Sequence, residues 1–212
     1  MPTVLLTGFD PFGGDDVNPS WLAVQTLQGD TIAGHRVVAA MLPTVFAESL
    51  LVLRRLVALH RPALVVCVGQ AGGRAGLSLE RVAINVRDAR IADNAGDQPI
   101  DEPVVKGGPA AYFTTLPIKA MLQALKEAGV EASVSQTAGT FVCNHVFYGL
   151  LHLAARQTTG SRLRGGLIHV PWLPAQGVPS MAPEEVARGL RVALQCALET
   201  KRDIHQSAGA LD

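Results

Sequence analysis

The sequence predicts an α/β protein in which helices cover both faces of a mostly parallel, twisted β-sheet. Short apolar runs alternate with helical patterns from one end of the chain to the other, which is typical of this architecture. The run ALVVCVG at 63–69 is apolar throughout, as expected for a strand that is buried on both faces. The length of 212 residues suits one compact domain with a single core.

The individual elements follow from local signals. Asn18 is a preferred N-cap and Pro19 fits the first helical position, so a helix begins there. Pro62 ends the second helix, Gly129 caps the third, and Pro183 begins the last. We predict helices at 18–27, 46–62, 117–130, from about Cys143 onward and at 183–200, and strands at 3–6, 35–42, 63–69, 77–86, 132–136 and 165–171.

Two segments do not follow this alternation. Residues 87–113 are polar, rich in glycine and proline, and much longer than an ordinary connection of ~4–6 residues. Long connections of this kind are typical of lids and binding loops. The segment 201–212 has the composition of a frayed terminus. We therefore expect a single α/β domain over 1–200, followed by a frayed tail.

Composition excludes several classes of function. Lys+Arg and Asp+Glu both number 18, and no long basic run occurs, which argues against nucleic-acid and membrane-surface partners. No apolar window reaches the ~18 residues of a membrane span, and the N-terminus lacks the basic start of a signal peptide. Three widely spaced cysteines without a CxxC pair predict neither a disulfide framework nor a zinc site. These features predict a soluble protein of a reducing compartment.

One cysteine has an unusual setting. Cys143 lies in AGTFVCNHVFYGLL (138–151), where a small-residue turn leads into the first turn of a helix. The helix dipole and the free N–H groups there favour a thiolate and can bind an oxyanion. Free cysteines are more often core residues, and Cys67 and Cys196 fit that interpretation. The setting alone leaves nucleophile and packing residue equally open for Cys143.

A thiol nucleophile needs a base. His145 and His152 share the helix of Cys143, but one points to another face and the other lies two turns away. His169, in GGLIHVPWLP, ends a strand, and ligand sites of open α/β sheets gather beyond the carboxyl ends of strands. His169 is therefore the candidate base, although a lone histidine is more often a satisfied core residue.

The base in turn needs an orienting group. In LSLERVAINV, read as one strand, Glu80 continues the apolar face formed by Val82, Ile84 and Val86. A carboxylate there must reach solvent or find a buried partner, and an imidazolium that forms during catalysis would be such a partner. Both alternatives stay open at this point.

Two glycine-rich loops follow predicted strands, TGFDPFGG at 7–14 and GQAGGRAG at 69–76. Neither has the Lys-Ser/Thr ending of a P-loop. Phe9 and Phe12 in the first loop, together with Phe141 beside Cys143, indicate an apolar-walled pocket for a flat, uncharged ligand.

Four separated motifs resemble the pyroglutamyl peptidase I family of cysteine peptidases, also called pyrrolidone-carboxylate peptidases. They are TGFDPFGG followed by NPS at 18–20, ERVAINVRDARIADNAGDQP at 80–99, GTFVCNHVFYGLLH at 139–152 and HVPWLPAQ at 169–176. The resemblance runs over nearly the whole chain. It implies a three-layer α/β/α sandwich that removes an N-terminal pyroglutamyl residue from peptides without a cofactor or metal, and a cytoplasmic homo-oligomer, a tetramer or a dimer.

The resemblance also implies roles for particular residues. Cys143 is expected to be the nucleophile, His169 the general base and acid, and Glu80 the group that orients His169. Arg90 matches an arginine near the reacting carbonyl. The expected substrate-binding residues are Phe9, Phe12, Phe141, Asn18 and Gln70.

Two other classes of protein share some of these features. A binding module for small cyclic amides or nucleosides would use the same glycine loops and phenylalanines, but would not require the Cys143–His169–Glu80 set. A purine-phosphorylase-like enzyme would require a phosphate site, and the glycine loops contain no basic residue beyond Arg74.

Overall fold

A seven-stranded sheet with helices on both sides organises the protein. The computed structural model describes residues 1–157 and 163–209. The strands of this part are β1 (Thr3–Phe9), β2 (Thr31–Ile32), β3 (His35–Leu42), β4 (Leu64–Gln70), β5 (Leu77–Glu80), β6 (Val82–Ile84), β7 (Ala111–Phe113), β8 (Ala132–Ser135) and β9 (Arg164–Val170). Its helices are α1 (Pro19–Thr26), α2 (Phe46–His60), α3 (Ile118–Glu127), α4 (Val142–Arg156) and α5 (Pro183–Glu199).

The strand order in the main sheet is β2-β3-β1-β4-β9-β5-β8. Strands β3, β1, β4 and β9 are mutually parallel, whereas β5 and β8 are parallel to each other and antiparallel to β9. Strand β9, the last strand in the described part of the chain, therefore lies in the interior of the sheet, between β4 and β5. The short strands β6 and β7 form a separate two-stranded sheet.

Two hydrophobic cores cover the two faces of the sheet. The odd-numbered helices α1, α3 and α5 pack on one face, and α2 and α4 pack on the other. Side-chain alternation along β1 divides its residues accordingly: Val4 and Leu6 contribute to the first core, Leu5 and Phe9 to the second. The predicted three-layer α/β/α sandwich is confirmed. None of the helices in the described part of the chain has the length and hydropathy needed to cross a bilayer.

Local signals placed most elements correctly. The side-chain oxygen of Asn18 accepts a hydrogen bond from the Ser20 N–H at 3.0 Å and caps α1, and Pro19 is the first helical residue. Gly129 follows the end of α3 with a φ of 66°, the left-handed conformation that favours glycine there. The short strands β2 and β7 were not predicted; they span two and three residues, and β7 (Ala111–Phe113) lies inside the segment 87–113 that was expected to be a loop.

The prediction of one strand over 77–86 is wrong. The chain leaves the main sheet after Glu80: the Arg81 N–H still bonds to the Ser135 carbonyl at 3.0 Å, but the Arg81 carbonyl accepts from the Thr114 N–H at 2.9 Å, beyond β7. Strands β5 and β6 therefore belong to different sheets. Because of this break, Glu80 does not share a strand face with Val82 and Ile84.

Two asparagine side chains anchor the long segment after β6 through hydrogen bonds to its backbone. The Asn144 side chain accepts from the Ile84 N–H at 3.0 Å and donates to the carbonyls of Ile84 and Val86 at 2.9 and 3.0 Å. The Asn85 side chain pairs in the same way with the N–H and carbonyl of Val105. Residues 87–110 contain no helix or strand apart from an isolated bridge between Arg87 and Glu102. The loop is thus tied to the start of α4.

The segment after α5 contacts the domain. The Asp203 carboxylate accepts hydrogen bonds from the Lys119 and Ala120 N–H groups at 3.1 and 2.9 Å, and so caps the start of α3. The Ala208 carbonyl accepts from the Arg81 guanidinium at 3.0 Å. The expected frayed tail is therefore packed against the domain over the residues that make these contacts, while residues 210–212 lie outside the described part.

Candidate active site

Glu80 and His169 form a buried pair on adjacent strands. In the antiparallel register of β5 and β9, Ser78 lies opposite His169, which makes Glu80 the diagonal neighbour of the imidazole on the same face. The Nδ1 atom of His169 lies 2.7 Å from Oε1 of Glu80, and both side chains are almost completely buried. An ionised Glu80 can only accept a hydrogen bond, so Nδ1 carries the proton and Nε2 is left as an acceptor.

Cys143 and the free edge of that imidazole meet above Gly69. A Cβ atom placed on Gly69 would lie 2.7 Å from Sγ of Cys143 and 3.3 Å from Nε2 of His169. Both reactive atoms therefore surround one point at the end of β4, where only a glycine leaves room for them. No hydrogen bond joins Cys143 to His169 in the described part of the chain; such contacts commonly shorten when substrate binds.

The two side chains come together by a different route from the one predicted. Both were expected beyond the carboxyl ends of their strands, but β8 is parallel to β5 and therefore antiparallel to β9, so these carboxyl ends point in opposite directions. The connection from Gln136 to Phe141 crosses back and starts α4 near Gly69. The helix then runs toward Gly165 at the beginning of β9, where Leu150 packs.

The first turn of α4 supplies hydrogen-bond donors. Cys143 is the second residue of the helix, and the N-cap residue Phe141 provides no side-chain cap. The N–H groups of the first turn have no acceptor within the helix and carry the positive end of its dipole. They can bind an oxyanion that forms beside Sγ of Cys143.

Burial acts against the expected thiolate. The loss of hydration, followed by the negative charge of Glu80, raises the pKa of the Cys143 thiol to about 12, although the charge of Arg74 and the Cys143 N–H act in the opposite direction. The raised pKa favours the neutral thiol, so the thiolate that the helix N-terminus was expected to favour is disfavoured by burial. The helix N-terminus is too weak to outweigh desolvation here.

The other histidines of α4 are engaged elsewhere. His145 is buried with its ring edge against Phe46, 5.5 Å between ring centres, and burial lowers its pKa to about 4. His152 contacts the Tyr112 hydroxyl at 2.9 Å. In the described part of the chain neither side chain contacts Cys143. This agrees with the prediction that His145 and His152 are not the base.

Three phenylalanines form an aromatic wall beside Cys143. Phe141 has ring-centre distances of 5.9 Å to Phe12 and 5.4 Å to Phe46. Phe46, at the start of α2, was missed because its position reads equally well as a helix core residue. Phe9 was predicted to be exposed in a flexible loop, but it is the last residue of β1 and is only 2% exposed. Phe9 therefore supports the wall from the core.

Comparison with known proteins agrees with this geometry. A family model described as pyroglutamyl peptidase matches residues 2–200. The chain belongs to the pyroglutamyl peptidase family. This is a family of cysteine peptidases that remove N-terminal pyroglutamate.

The relatives cover the chain from end to end. Pyrrolidone-carboxylate peptidase 1 of Ralstonia nicotianae is 61% identical and covers 100% of both chains. Pyrrolidone-carboxylate peptidase of Escherichia fergusonii is 55% identical over 99% of each chain. The crystal structure of pyroglutamyl peptidase I from Bacillus amyloliquefaciens superposes with a TM-score of 0.94 at 48% identity, covering 98% of this chain and 100% of that one. The predicted resemblance to the pyroglutamyl peptidase family is confirmed.

The two polar residues predicted for the pocket, Asn18 and Gln70, have different hydrogen-bond environments. The side chain of Asn18 is used within the protein: besides capping α1, it donates to the Asp10 carbonyl at 3.0 Å. Gln70 ends β4, one residue beyond Gly69. Its amide nitrogen lies 3.4 Å from the Asp15 carboxylate, while Oε1 is buried and has no partner in the described part of the chain.

Arg90 makes no hydrogen bond or ion pair with Cys143 or His169 in the described part of the chain, and its predicted role stays a prediction. It is exposed in the long loop, and no hydrogen bond or ion pair of the described residues involves its side chain. The nearby backbone is linked to the nucleophile segment through Thr140, whose hydroxyl donates to the Asp88 carbonyl at 2.6 Å. Among the described residues, no cluster of three or more His, Cys, Asp or Glu side chains could hold a metal ion.

One functional neighbour was missed by sequence reasoning. Arg74, in the second glycine-rich loop, contacts Oε1 of Glu80 at 2.6 Å. From the sequence, Arg74 is a candidate only for a phosphate ligand. A single arginine in a glycine-rich loop carries no signal that points to a carboxylate six positions further along.

Proposed function

We propose that this protein hydrolyses the amide bond that joins an N-terminal pyroglutamyl residue to the rest of a peptide. Cys143 is the nucleophile, His169 the proton carrier and Glu80 the group that fixes the orientation of His169. The observation that carries the proposal is that Sγ of Cys143 and Nε2 of His169 lie around one point above Gly69, 2.7 and 3.3 Å from a Cβ atom placed there, in a chain of the pyroglutamyl peptidase family.

The neutral resting thiol fixes the order of proton transfers. As Sγ attacks the pyroglutamyl carbonyl, the thiol proton passes to Nε2 of His169, and Glu80 stabilises the imidazolium through Nδ1–H. The carbonyl oxygen becomes an oxyanion that accepts from first-turn N–H groups of α4. His169 then gives the proton to the leaving amine, and a thioester with Cys143 remains.

Hydrolysis of the thioester regenerates the enzyme. A water molecule loses a proton to Nε2 of His169 while its oxygen attacks the thioester carbonyl. Collapse of the tetrahedral intermediate breaks the C–S bond, and the sulfur recovers the proton from His169. Pyroglutamate leaves with a free carboxyl group, and no cofactor or metal enters the proposed cycle.

The pocket proposal follows from the aromatic wall. Phe12 and Phe141 contact the uncharged lactam ring, with Phe9 and Phe46 behind them, and the free Oε1 of Gln70 accepts from the lactam N–H. The role of Asn18 is indirect: its side chain holds the segment that carries Phe12. We keep Arg90 near the reacting carbonyl as a proposal that rests on the family resemblance.

Location and assembly are proposed from the free cysteines and from the family resemblance. Cys67, Cys143 and Cys196 are all free thiols, which suits the reducing cytoplasm. The resemblance further suggests a homo-oligomer, a tetramer or a dimer, that binds peptides with an N-terminal pyroglutamate and neither nucleic acid nor membranes. Light scattering coupled to gel filtration measures the oligomeric state directly.

The proposed activity is tested with pyroglutamyl aminomethylcoumarin as substrate. We expect wild-type protein to release the fluorophore, and the Cys143→Ala variant to lose at least about 10⁴-fold in kcat. A prolyl analogue should react poorly because it lacks the ring carbonyl and leaves a buried partner unpaired. Circular dichroism confirms that both proteins are folded. Equal activity of wild type and Cys143→Ala would overturn the assignment of the nucleophile.

A further inference from the structure

We propose that Arg74 is a positioning residue for the reaction, which holds the Glu80 carboxylate in place and links it to the segment that carries Cys143. This inference rests on the proposed function and adds a fourth residue to it. The side chain of Arg74 is 30% exposed, so it is neither a core residue nor a freely solvated charge.

The first observation is the use of one carboxylate oxygen by two donors. Arg74 Nη1 and His169 Nδ1 lie 2.6 and 2.7 Å from the same Oε1 atom of Glu80. The other oxygen, Oε2, is buried and has no partner in the described part of the chain. With Arg74 removed, the carboxyl group loses one of the two contacts that set its rotation, and the imidazole loses a fixed acceptor.

The second observation is the reach of the same guanidinium. Its other terminal nitrogen donates to the Thr137 carbonyl at 3.1 Å. Thr137 lies in the connection between β8 and Cys143, where its hydroxyl accepts from the Gly139 N–H at 3.1 Å. Arg74 thereby joins its own loop after β4, the end of β5 and the approach to the nucleophile. A planar guanidinium suits such a bridge better than an ammonium group.

The third observation concerns charge. Glu80 contacts His169 from β5, and Arg74 contacts Glu80 from the loop after β4. The charges that act on Cys143, at the start of α4, come from Glu80, Arg74 and the thiol of Cys67 on β4. The positive charge of Arg74 offsets part of the field of Glu80, and it acts to lower the pKa of Cys143. Removal of this charge should disfavour the thiolate and stabilise the imidazolium.

A cavity gives access to this residue from solvent. It has a volume of about 380 Å³ and is lined by Arg74, Ser78, Glu131, Ser133 and Ser135 among others. Ser78 belongs to β5 and Ser133 and Ser135 belong to β8, while Arg74 joins this lining to Glu80 through its ion pair. A small cation can therefore enter the space that an Arg74→Ala variant would vacate.

The test separates geometry from charge in one assay. For Arg74→Ala we expect kcat on the pyroglutamyl amide to fall about 10- to 100-fold with KM nearly unchanged, and the acid limb of the pH profile to move to higher pH. Arg74→Lys keeps the charge but not the bridge, so it should lose part of kcat and keep the wild-type acid limb. Guanidinium ions should restore part of the activity of Arg74→Ala, whereas sodium at equal ionic strength should not.

The matched control is Arg191→Ala. Arg191 forms a 2.6 Å ion pair with Asp30 at 49% exposure, on helix α5, and its loss should leave kcat and the pH profile unchanged. Wild-type kcat in Arg74→Ala would overturn the inference, as would a loss of kcat with neither a pH shift nor guanidinium rescue.

A substrate-independent measurement separates this inference from the proposed function. Iodoacetamide should alkylate Cys143 more slowly in Arg74→Ala than in wild type at the same pH, because the variant lacks the charge that lowers the pKa of the thiol. Equal alkylation rates would count against Arg74 even if the substrate is a different one. An inactive wild type with slower alkylation in Arg74→Ala would instead remove only the proposed reaction.

Discussion

Cys67 and Cys143 are two thiols near the same part of the sheet with opposite expected behaviour. Burial raises the pKa of each to about 12, so neither is an activated thiolate at rest. Cys67 lies in the middle of β4 and is fully buried, whereas Cys143 begins α4 and is partly exposed. Only Cys143 meets the free edge of His169 above Gly69. The two thiols therefore differ in their access to His169 and not in their pKa, and this access identifies Cys143 as the nucleophile.

Among variants that keep the Cys143 thiol, the largest expected effect comes from removing the negative charge next to His169. The variant Glu80→Gln keeps the shape of the side chain but removes its negative charge, so the imidazolium of His169 is no longer stabilised through Nδ1–H. Cys143 then loses its proton acceptor and becomes comparable to Cys67. We expect kcat to fall about 10³- to 10⁴-fold.

Steady-state kinetics on the pyroglutamyl amide measures this loss. The control is Glu102→Gln, which removes an exposed ion pair with Arg87 in the long loop and should leave kcat within about twofold. A loss smaller than tenfold in Glu80→Gln would mean that His169 does not depend on the carboxylate.

A single methyl group should separate the two reactive atoms. In Gly69→Ala the new Cβ would stand 2.7 Å from Sγ of Cys143 and 3.1 Å from Cδ2 of His169, so both side chains must move apart. We expect kcat to fall about 100-fold, with the protein still folded because side chains rather than backbone give way. Kinetics and a thermal melt measure the two effects. An unchanged kcat would show that the distance between Sγ and Nε2 is not limiting.

The pH dependence of alkylation distinguishes a neutral thiol from a resting thiolate. Since the pKa of Cys143 is raised, its thiolate fraction should grow about tenfold per pH unit, and the iodoacetamide rate should keep rising from about pH 6 to about pH 9. Peptide mapping by mass spectrometry follows each cysteine separately, and Cys67 should stay unlabelled in the folded protein. A rate that levels off below about pH 7 would contradict the raised pKa.

The smallest expected effect on activity belongs to Cys67→Ala. The variant removes a buried sulfur from the second core, so the free energy of unfolding should fall by about 1–2 kcal/mol, while kcat stays within about twofold. Urea denaturation and kinetics measure the two quantities, and Cys196→Ala, at a partly exposed position of α5, is the matched control. A large loss of kcat in Cys67→Ala would give this thiol a role in the reaction.

The comparison also shows which features the sequence could predict. Caps and breakers are local, and signals such as Asn18 with Pro19 placed the helices well because they depend on a few neighbouring residues. The break after Glu80 could not be seen, since LSLERVAINV alternates without interruption and the change of partner strand is decided by β8 and the residues after β7. A pairing decided by distant segments leaves no local signal.

The candidate site likewise has features that the sequence could predict and features that depend on distant segments. Local reasoning singled out Cys143, His169 and Glu80 as candidates, the resemblance implied their roles, and the structure brings all three to one place. Sequence reasoning did not reveal the raised pKa of Cys143, which depends on desolvation by several distant segments, or the contact of Arg74 with Glu80. Phe9 was assigned to a loop because the residues at the end of β1 have the same composition as the start of the glycine-rich loop that follows. These features come from packing, which a single sequence does not encode locally.

The interior position of β9 has a consequence for biosynthesis. His169 is carried by the last strand in the described part of the chain, which pairs with β4 over seven residues and separates it from β5. A nascent chain that has not yet exposed β9 lacks both an interior strand of its sheet and the base of its site, so no catalytic activity can arise during most of translation. Because β4 must wait about 100 residues for this partner, folding should be slow relative to proteins with local contacts, and the unpaired edge of β4 is the surface that a chaperone would have to shield.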